Sequence, residues 1–100
     1  MKRYRLSRPA KDDLDQVWLH IARAANPEIA DRFVDGITDR FPFLAGMPEA
    51  GRPREDIEPG LRSFSAKDYL IYYRRARRGI LISRVIHGRR DQTSALTGKN

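Results

Sequence analysis

Hydrophobic positions recur at two different periods along this chain, helical in its first half and alternating in its second. Arg3 to Ser7 alternates polar and apolar and predicts a short opening strand. Leu14, Val17, Trp18, Ile21 and Ala25 then fall on one helical stripe. Ser7 is placed to cap that helix, Pro9 fits its first turn, and Asp12 and Asp13 lie near the positive end of its dipole. The pattern breaks at Ala25-Asn26-Pro27, where Asn26 caps a second helix and Pro27 takes its first position. Ile29, Ala30, Phe33, Val34, Ile37, Phe41 and Leu44 line one side of it, opposite Asp31, Arg32, Asp35 and Asp39. So short a link makes the two helices antiparallel neighbours. Pro42 is expected to kink or end the second, Gly46 and Pro48 to stop it, and residues 47–59 to form a surface loop.

From residue 61 the period is two. Strands are predicted over 61–66, 69–75 and 80–87, with a tight turn at Lys67-Asp68 and a hairpin turn over 76–79. Strict alternation in the last strand puts Ile80, Ile82 and Ile86 on one face with Arg84, and Leu81, Val85 and His87 on the other with Ser83. The fold class is therefore α+β, in the order β-α-α-β-β-β: an antiparallel helical hairpin packed on a small, mainly antiparallel sheet. One hundred residues make one domain, expected over 1–94, with a mobile tail at 95–100.

Charge sharpens the picture. Residues 1–60 hold 10 Lys/Arg against 11 Asp/Glu, whereas residues 61–100 hold 10 against only Asp68 and Asp91. The net +7 thus belongs to the predicted sheet, and such a field favours a polyanionic or acidic partner. The absence of cysteine excludes disulfides, thiol catalysis and cysteine-based zinc sites. No apolar run is long enough to span a bilayer and the first residues lack a secretory apolar core, so a cytoplasmic protein without membrane attachment is expected. His20 has no ligand-type residue one turn away, and neither a metal nor a cofactor is expected.

His87, with Arg89 and Arg90 just beyond it, is the one histidine near the basic cluster. It could serve as a general acid or base beside phosphate-holding arginines, or make a single structural hydrogen bond at a strand end. Phe64, Tyr69, Tyr72 and Tyr73 could stack on bases, but cross-strand packing explains aromatics in strands more often. Arg62 and Arg84 interrupt strands and could meet carboxylates or phosphates of a partner. A solvated hairpin tip accounts for Arg74, Arg75, Arg77 and Arg78.

The stretch YRLSRPAKDDLDQVW at 4–18 resembles the opening of ParE proteins, a branch of the RelE/ParE toxins of bacterial type II toxin–antitoxin systems. EPGLRSFSA at 58–66, YLIYYR at 69–74 and RVIHGRRD at 84–91 resemble the later ParE segments in the same order. The resemblance implies a compact toxin neutralised by a ParD-like antitoxin whose flexible C-terminal part wraps around it. It also implies DNA gyrase as the target, since characterised ParE members poison gyrase while RelE members cleave mRNA on the ribosome. Against the RelE pattern, Arg62 matches a basic sheet position and Arg89 the arginine after the last strand. Tyr69 stands where RelE enzymes place another arginine, and no tyrosine follows Tyr73. Of a Glu/Arg/His set used by other ribonuclease branches, only His87 has a counterpart.

No catalytic residue is assured; the candidates are His87, Arg62 and Arg89. Target contact is expected at Arg84, Arg89 and Arg90. Antitoxin contact is expected at Trp18, Ile21, Phe33 and Ile37 along the hairpin and at Arg62, Tyr73 and Arg84 along the sheet. Two alternatives to gyrase inhibition stay open: a ribosome-dependent mRNA endoribonuclease, and an inactive homologue that only binds antitoxin. Direct binding to nucleic acid is left undecided.

Overall fold

The computed structural model describes residues 3–90. The expected tail at 95–100 and the domain boundary at 94 lie outside them. The elements are β1 (Tyr4–Leu6), α1 (Arg8–Ala24), α2 (Pro27–Thr38), α3 (Arg40–Gly46), β2 (Arg52–Pro53), β3 (Arg62–Ala66), β4 (Tyr69–Ala76) and β5 (Gly79–His87). They form an α+β domain in which helices cover one face of a five-stranded sheet ordered β1-β5-β4-β3-β2. Only the β1–β5 pairing is parallel.

Both helix starts obey local chemistry. The Ser7 hydroxyl accepts from the Ala10 N–H and the Asn26 side-chain Oδ1 from the Ile29 N–H, each satisfying an otherwise orphaned donor. The second helix departs from expectation in ending earlier. It stops at Thr38 and restarts as α3 at Arg40, so that Phe41 and Leu44 belong to a separate short helix. Pro42 explains this: its ring would collide with the Thr38 carbonyl in a continuous helix, whereas in the first turn of α3 its missing N–H costs nothing.

The loop expected over 47–59 also contains structure. Arg52 and Pro53 pair with Ser63 and Arg62 as a fifth, edge strand, a place where proline is tolerated. The Lys67-Asp68 turn is as tight as predicted, and both residues have positive φ, at 54° and 69°. That is the backbone a two-residue hairpin loop with matching twist requires, adopted here without glycine.

The largest correction concerns β5. Its pairing with β4 shifts register between Tyr72 and Tyr73, so that Tyr72 faces Arg84 and Tyr73 faces Ile82, leaving Ser83 as an extra residue. This bulge breaks the alternation. Ile80, Ile82 and Val85 join the helix-side core with Ile71, Tyr73, Val17, Ile37, Phe41 and Leu44. Ile86 falls on the opposite face, in a small second cluster with Leu61 and Tyr72 that Ile57 and Leu70 flank. Ile86 thus parts from Ile80 and Ile82, and Val85 replaces it.

The bulge is fastened to the start of α1. The Ser7 N–H donates to the Ile82 carbonyl at 2.9 Å and its hydroxyl to the Ser83 carbonyl at 2.8 Å. Beyond Leu6 no strand among the described residues covers this edge of β5, and Asp13 of α1 takes over. Its carboxylate accepts the Val85 N–H at 2.9 Å and both Nε and Nη2 of Arg84 at 2.7 and 2.9 Å. The Asp13 and Arg84 side chains are 12% and 20% exposed, so the pair is only weakly screened. The hydrogen bonds to Asp13 raise the Arg84 pKa, which keeps it charged at any physiological pH.

Asp13→Ala should therefore destabilise the fold by about 3 kcal/mol, because it removes the carboxylate that pairs with the Arg84 guanidinium and accepts the strand-edge N–H of Val85. Arg84→Met, which leaves Asp13 bonded to Val85, should cost clearly less. Urea unfolding of the two variants measures the difference.

Candidate functional site

The candidate residues divide between two ends of the sheet. At one end, Tyr69 on β4 pairs with His87 on β5, and their rings meet edge to face with centroids 5.1 Å apart. Phe33 of α2 meets Tyr69 in the same way at 6.0 Å, so an aromatic row runs from the helices to the strand end. Burial raises the Tyr69 pKa and keeps the phenol protonated at neutral pH. Around these rings lies an open concavity of about 650 Å³ bordered by Ser65, Asp68, Leu70 and Arg89. A second one, of about 200 Å³, runs from His87 towards Asp13, Gln16 and Arg90.

The chain beyond β5 is held in place. The Gly88 N–H donates to the Asp68 carbonyl at 2.9 Å, the Arg89 N–H to His87 Nδ1 at 3.1 Å, and the Arg90 N–H to the His87 carbonyl at 3.0 Å. These bonds present the exposed Arg89 and Arg90 from a fixed backbone. They also define the histidine chemistry. With Nδ1 accepting a backbone N–H, a neutral ring carries its proton on Nε2. Through these bonds the ring and backbone of His87 organise the turn after the strand.

Arg62 lies at the other end. It pairs with Tyr73, four residues along β4 from Tyr69, which puts it roughly 13 Å along the sheet and two strands across from His87. Its guanidinium donates to the carbonyls of Gly51 at 2.8 Å and Glu49 at 3.4 Å, pointing away from the histidine. The fold thus brings His87 and Arg89 together and leaves Arg62 out, so the three do not form one site.

Two other expectations are corrected by burial. Tyr73 is wholly buried: its hydroxyl accepts the Gly51 N–H at 2.7 Å and donates to the Pro48 carbonyl at 2.8 Å, anchoring the loop before β2. A Cβ at Gly51 would stand 2.4 Å from that hydroxyl, which is why glycine is required there. Ile37 is wholly buried in the helix-side core. Neither can meet an antitoxin directly. Arg84 is ion-paired with Asp13 and keeps 20% of its side chain exposed. Alternation and helical spacing mark a residue as apolar-facing without telling which of two stripes is sealed by its neighbours.

Trp18, Ile21 and Phe33 stay half-exposed on the hairpin. The Trp18 indole N–H donates to Asp31 at 2.8 Å, joining α1 to α2, and Leu19 and Ile29 stand exposed on the same two helices. The sequence reading missed Asp13, read only as a dipole partner, and the glutamates that hold β4. Glu58 pairs with Arg74 at 2.6 Å and Glu49 with Arg75 at 2.7 Å. Their separations of 16 and 26 residues leave no local signal.

A helical hairpin on a mainly antiparallel sheet with a basic strand end is the architecture expected of a RelE/ParE-type toxin. The family model for the ParE toxin of type II toxin–antitoxin systems, parDE, matches residues 4–92. Toxin ParE3 of Caulobacter vibrioides is 32% identical over 93 residues, covering 93% of both chains. Toxin ParE1 of Mycobacterium tuberculosis is 29% identical, covering 89% of this chain and 92% of the relative. A solved structure described as a chromosomal ParDE toxin–antitoxin system from P. aeruginosa superposes with a TM-score of 0.76 at 27% identity. That match covers 87% of this chain and 96% of the other. The chain belongs to the ParE toxin family of type II toxin–antitoxin systems.

Tyr73→Phe should cost about 1–3 kcal/mol, because the buried Gly51 N–H and Pro48 carbonyl lose their partner together. The pH dependence follows from burial, which raises the pKa of both Tyr72 and Tyr73 above the ordinary 10.0. A raised pKa means that their contribution is complete below pH 10 and is lost as pH climbs through the raised values. Denaturant midpoints measured across alkaline pH check both statements.

Proposed function

We propose that this chain is the toxin of a ParDE-type pair, held inactive by a ParD-like antitoxin and acting, once released, by binding DNA gyrase. The observation that carries the reading is the family match over residues 4–92, taken together with a strand end that presents arginines but does not assemble a nuclease set. The antitoxin would lay an amphipathic helix along the α1–α2 hairpin, against Trp18, Ile21 and Phe33 with exposed Leu19 and Ile29 beside them. Acidic positions in its extended part would complement the sheet half, where charge steers association. Arg89 and Arg90 are the target-facing residues in this reading, with Arg84 supporting them from within through Asp13.

The deciding experiment is induction of the toxin without antitoxin. Plasmid supercoiling should fall and the DNA-damage response should rise before protein synthesis declines; early codon-specific mRNA cleavage would replace gyrase with the ribosome as target. His87→Gln should leave growth inhibition largely intact. A ribonuclease using that ring would instead lose roughly 10²–10⁴-fold in rate. The double variant Arg89→Glu, Arg90→Glu should stay folded and inhibit supercoiling more weakly. Wild-type inhibition by that variant would remove this surface from the mechanism.

A further inference from the structure

The turn that follows β5 is closed by an uncommon acceptor. In many turns an aspartate or asparagine side chain accepts the N–H two residues on and so shapes the backbone. Here an imidazole takes that place: Nδ1 of His87 accepts the Arg89 N–H at 3.1 Å. The neighbouring bonds have backbone acceptors. The Gly88 N–H donates to the Asp68 carbonyl at 2.9 Å and the Arg90 N–H to the His87 carbonyl at 3.0 Å. Of these three bonds, the one from Arg89 alone ends on an atom that can take up a proton.

Protonation turns that atom from acceptor to donor. A neutral imidazole has one acceptor nitrogen, whereas an imidazolium has two N–H donors and no acceptor. Once Nδ1 carries a proton, the Arg89 N–H faces another N–H. No rotation of the ring restores the contact, because both nitrogens then donate. The ring is also confined: it meets Tyr69 edge to face with centroids 5.1 Å apart, and Tyr69 meets Phe33 of α2 at 6.0 Å. The movable side of the bond is the turn, whose residues Gly88, Arg89 and Arg90 are all exposed.

Charges of both signs surround the ring. Asp13 of α1 and Arg90 border it on one side with the uncharged Gln16, and Asp13 is already engaged by Arg84. Asp68 of the β3–β4 turn and Arg89 border it on the other side, with Ser65. Lys67, the other residue of that turn, extends over Gly36 of α2 instead. Among these residue types, imidazole is the one whose ordinary titration falls between about pH 5 and 8.

We propose that the His87–Arg89 bond is a proton-operated latch, closed while the ring is neutral and opened when the ring is protonated, which frees the turn carrying Arg89 and Arg90. The sign follows from the chemistry. Above the titration of the ring Nδ1 accepts and the latch is present; as pH falls through that titration the bond is lost, and a positive charge is added beside two arginines. The sheet itself stays intact, since the β4–β5 pairing that ends at Tyr69 and His87 rests on backbone hydrogen bonds. Any consequence for target contact rests on the reading of Arg89 and Arg90 as target-facing; the latch does not.

The test is NMR of the full chain from about pH 5.5 to 8, the range in which an imidazole titrates. Ring nitrogen shifts report the protonation of His87, and amide exchange, corrected for its intrinsic pH dependence, reports each bond. Protection of the Arg89 amide should fall about fivefold, the worth of one ordinary net hydrogen bond, with the same midpoint as the ring. The Gly88 amide, whose acceptor is a backbone carbonyl, should keep its protection. Two variants separate titration from structure. His87→Asn keeps a side-chain acceptor and removes the titrating group, so the Arg89 amide should stay protected throughout. His87→Phe keeps a ring against Tyr69 without an acceptor, so the same amide should be unprotected throughout. Circular dichroism checks that both are folded, and the wild-type titration with His87→Asn decides the matter if His87→Phe is not. A ring that titrates while the Arg89 amide stays protected would overturn the proposal. So would a transition of that amide that survives in His87→Asn, because another group would then control it. Equal loss of protection at Gly88 would overturn it too, since the strand end and not the latch would be opening. Supercoiling assays of the Arg89→Glu, Arg90→Glu variant test the target reading separately, and their failure leaves the NMR result standing.

Discussion

Everything functional in this molecule hangs on how one edge of the last strand is closed. The strand β5 lies between β1 and β4, but β1 covers it only from Ile80 to Ile82. Past that point its exposed backbone would be an open edge, a costly arrangement beside a core. A carboxylate from α1 closes it. Asp13 serves at once as the missing strand partner of Val85 and as counter-ion to Arg84, while Ser7 ties the bulge at Ser83 to the helix N-terminus. Helix position, strand register and the face to which each late residue points are thereby determined together.

The same closure sorts the positive charge. A surplus on the sheet half would weaken the fold by self-repulsion if it were free. Much of it is not free, because acids from the balanced first half of the chain reach over to hold Arg54, Arg74, Arg75 and Arg84. The more exposed pairs contribute little to stability individually. Arg89 stays exposed beside the Tyr69–His87 ring pair at one end of the sheet.

Legibility followed the range of the interactions. The helix caps at Ser7 and Asn26, the tight turn at Lys67-Asp68, the three late strands and the α+β class were all readable, because each depends on residues within a few positions of one another. The family resemblance was legible for a related reason: its four segments carry these local signals in a fixed order. Even the break of the second helix was signalled by Pro42, although its effect fell one turn earlier than the proline itself.

What only the tertiary structure decided was pairing across distance. A one-residue bulge at Ser83 inverted the faces of Val85 and Ile86, and nothing in the alternation of that strand reveals it, because the extra residue is accommodated by Ser7, 76 positions away. Arg84 looked like a surface charge until Asp13, 71 positions earlier, was found beneath it. Ile37 and Tyr73 looked available because their stripes are apolar, yet packing sealed them. Conversely, Arg77 and Arg78 looked like an ordinary solvated turn until the parallel pairing of β1 brought Arg3 and Arg5 beside them. Local chemistry shaped the elements. Which charges are cancelled and which are left facing outward is a property of the pairings that only the folded chain makes.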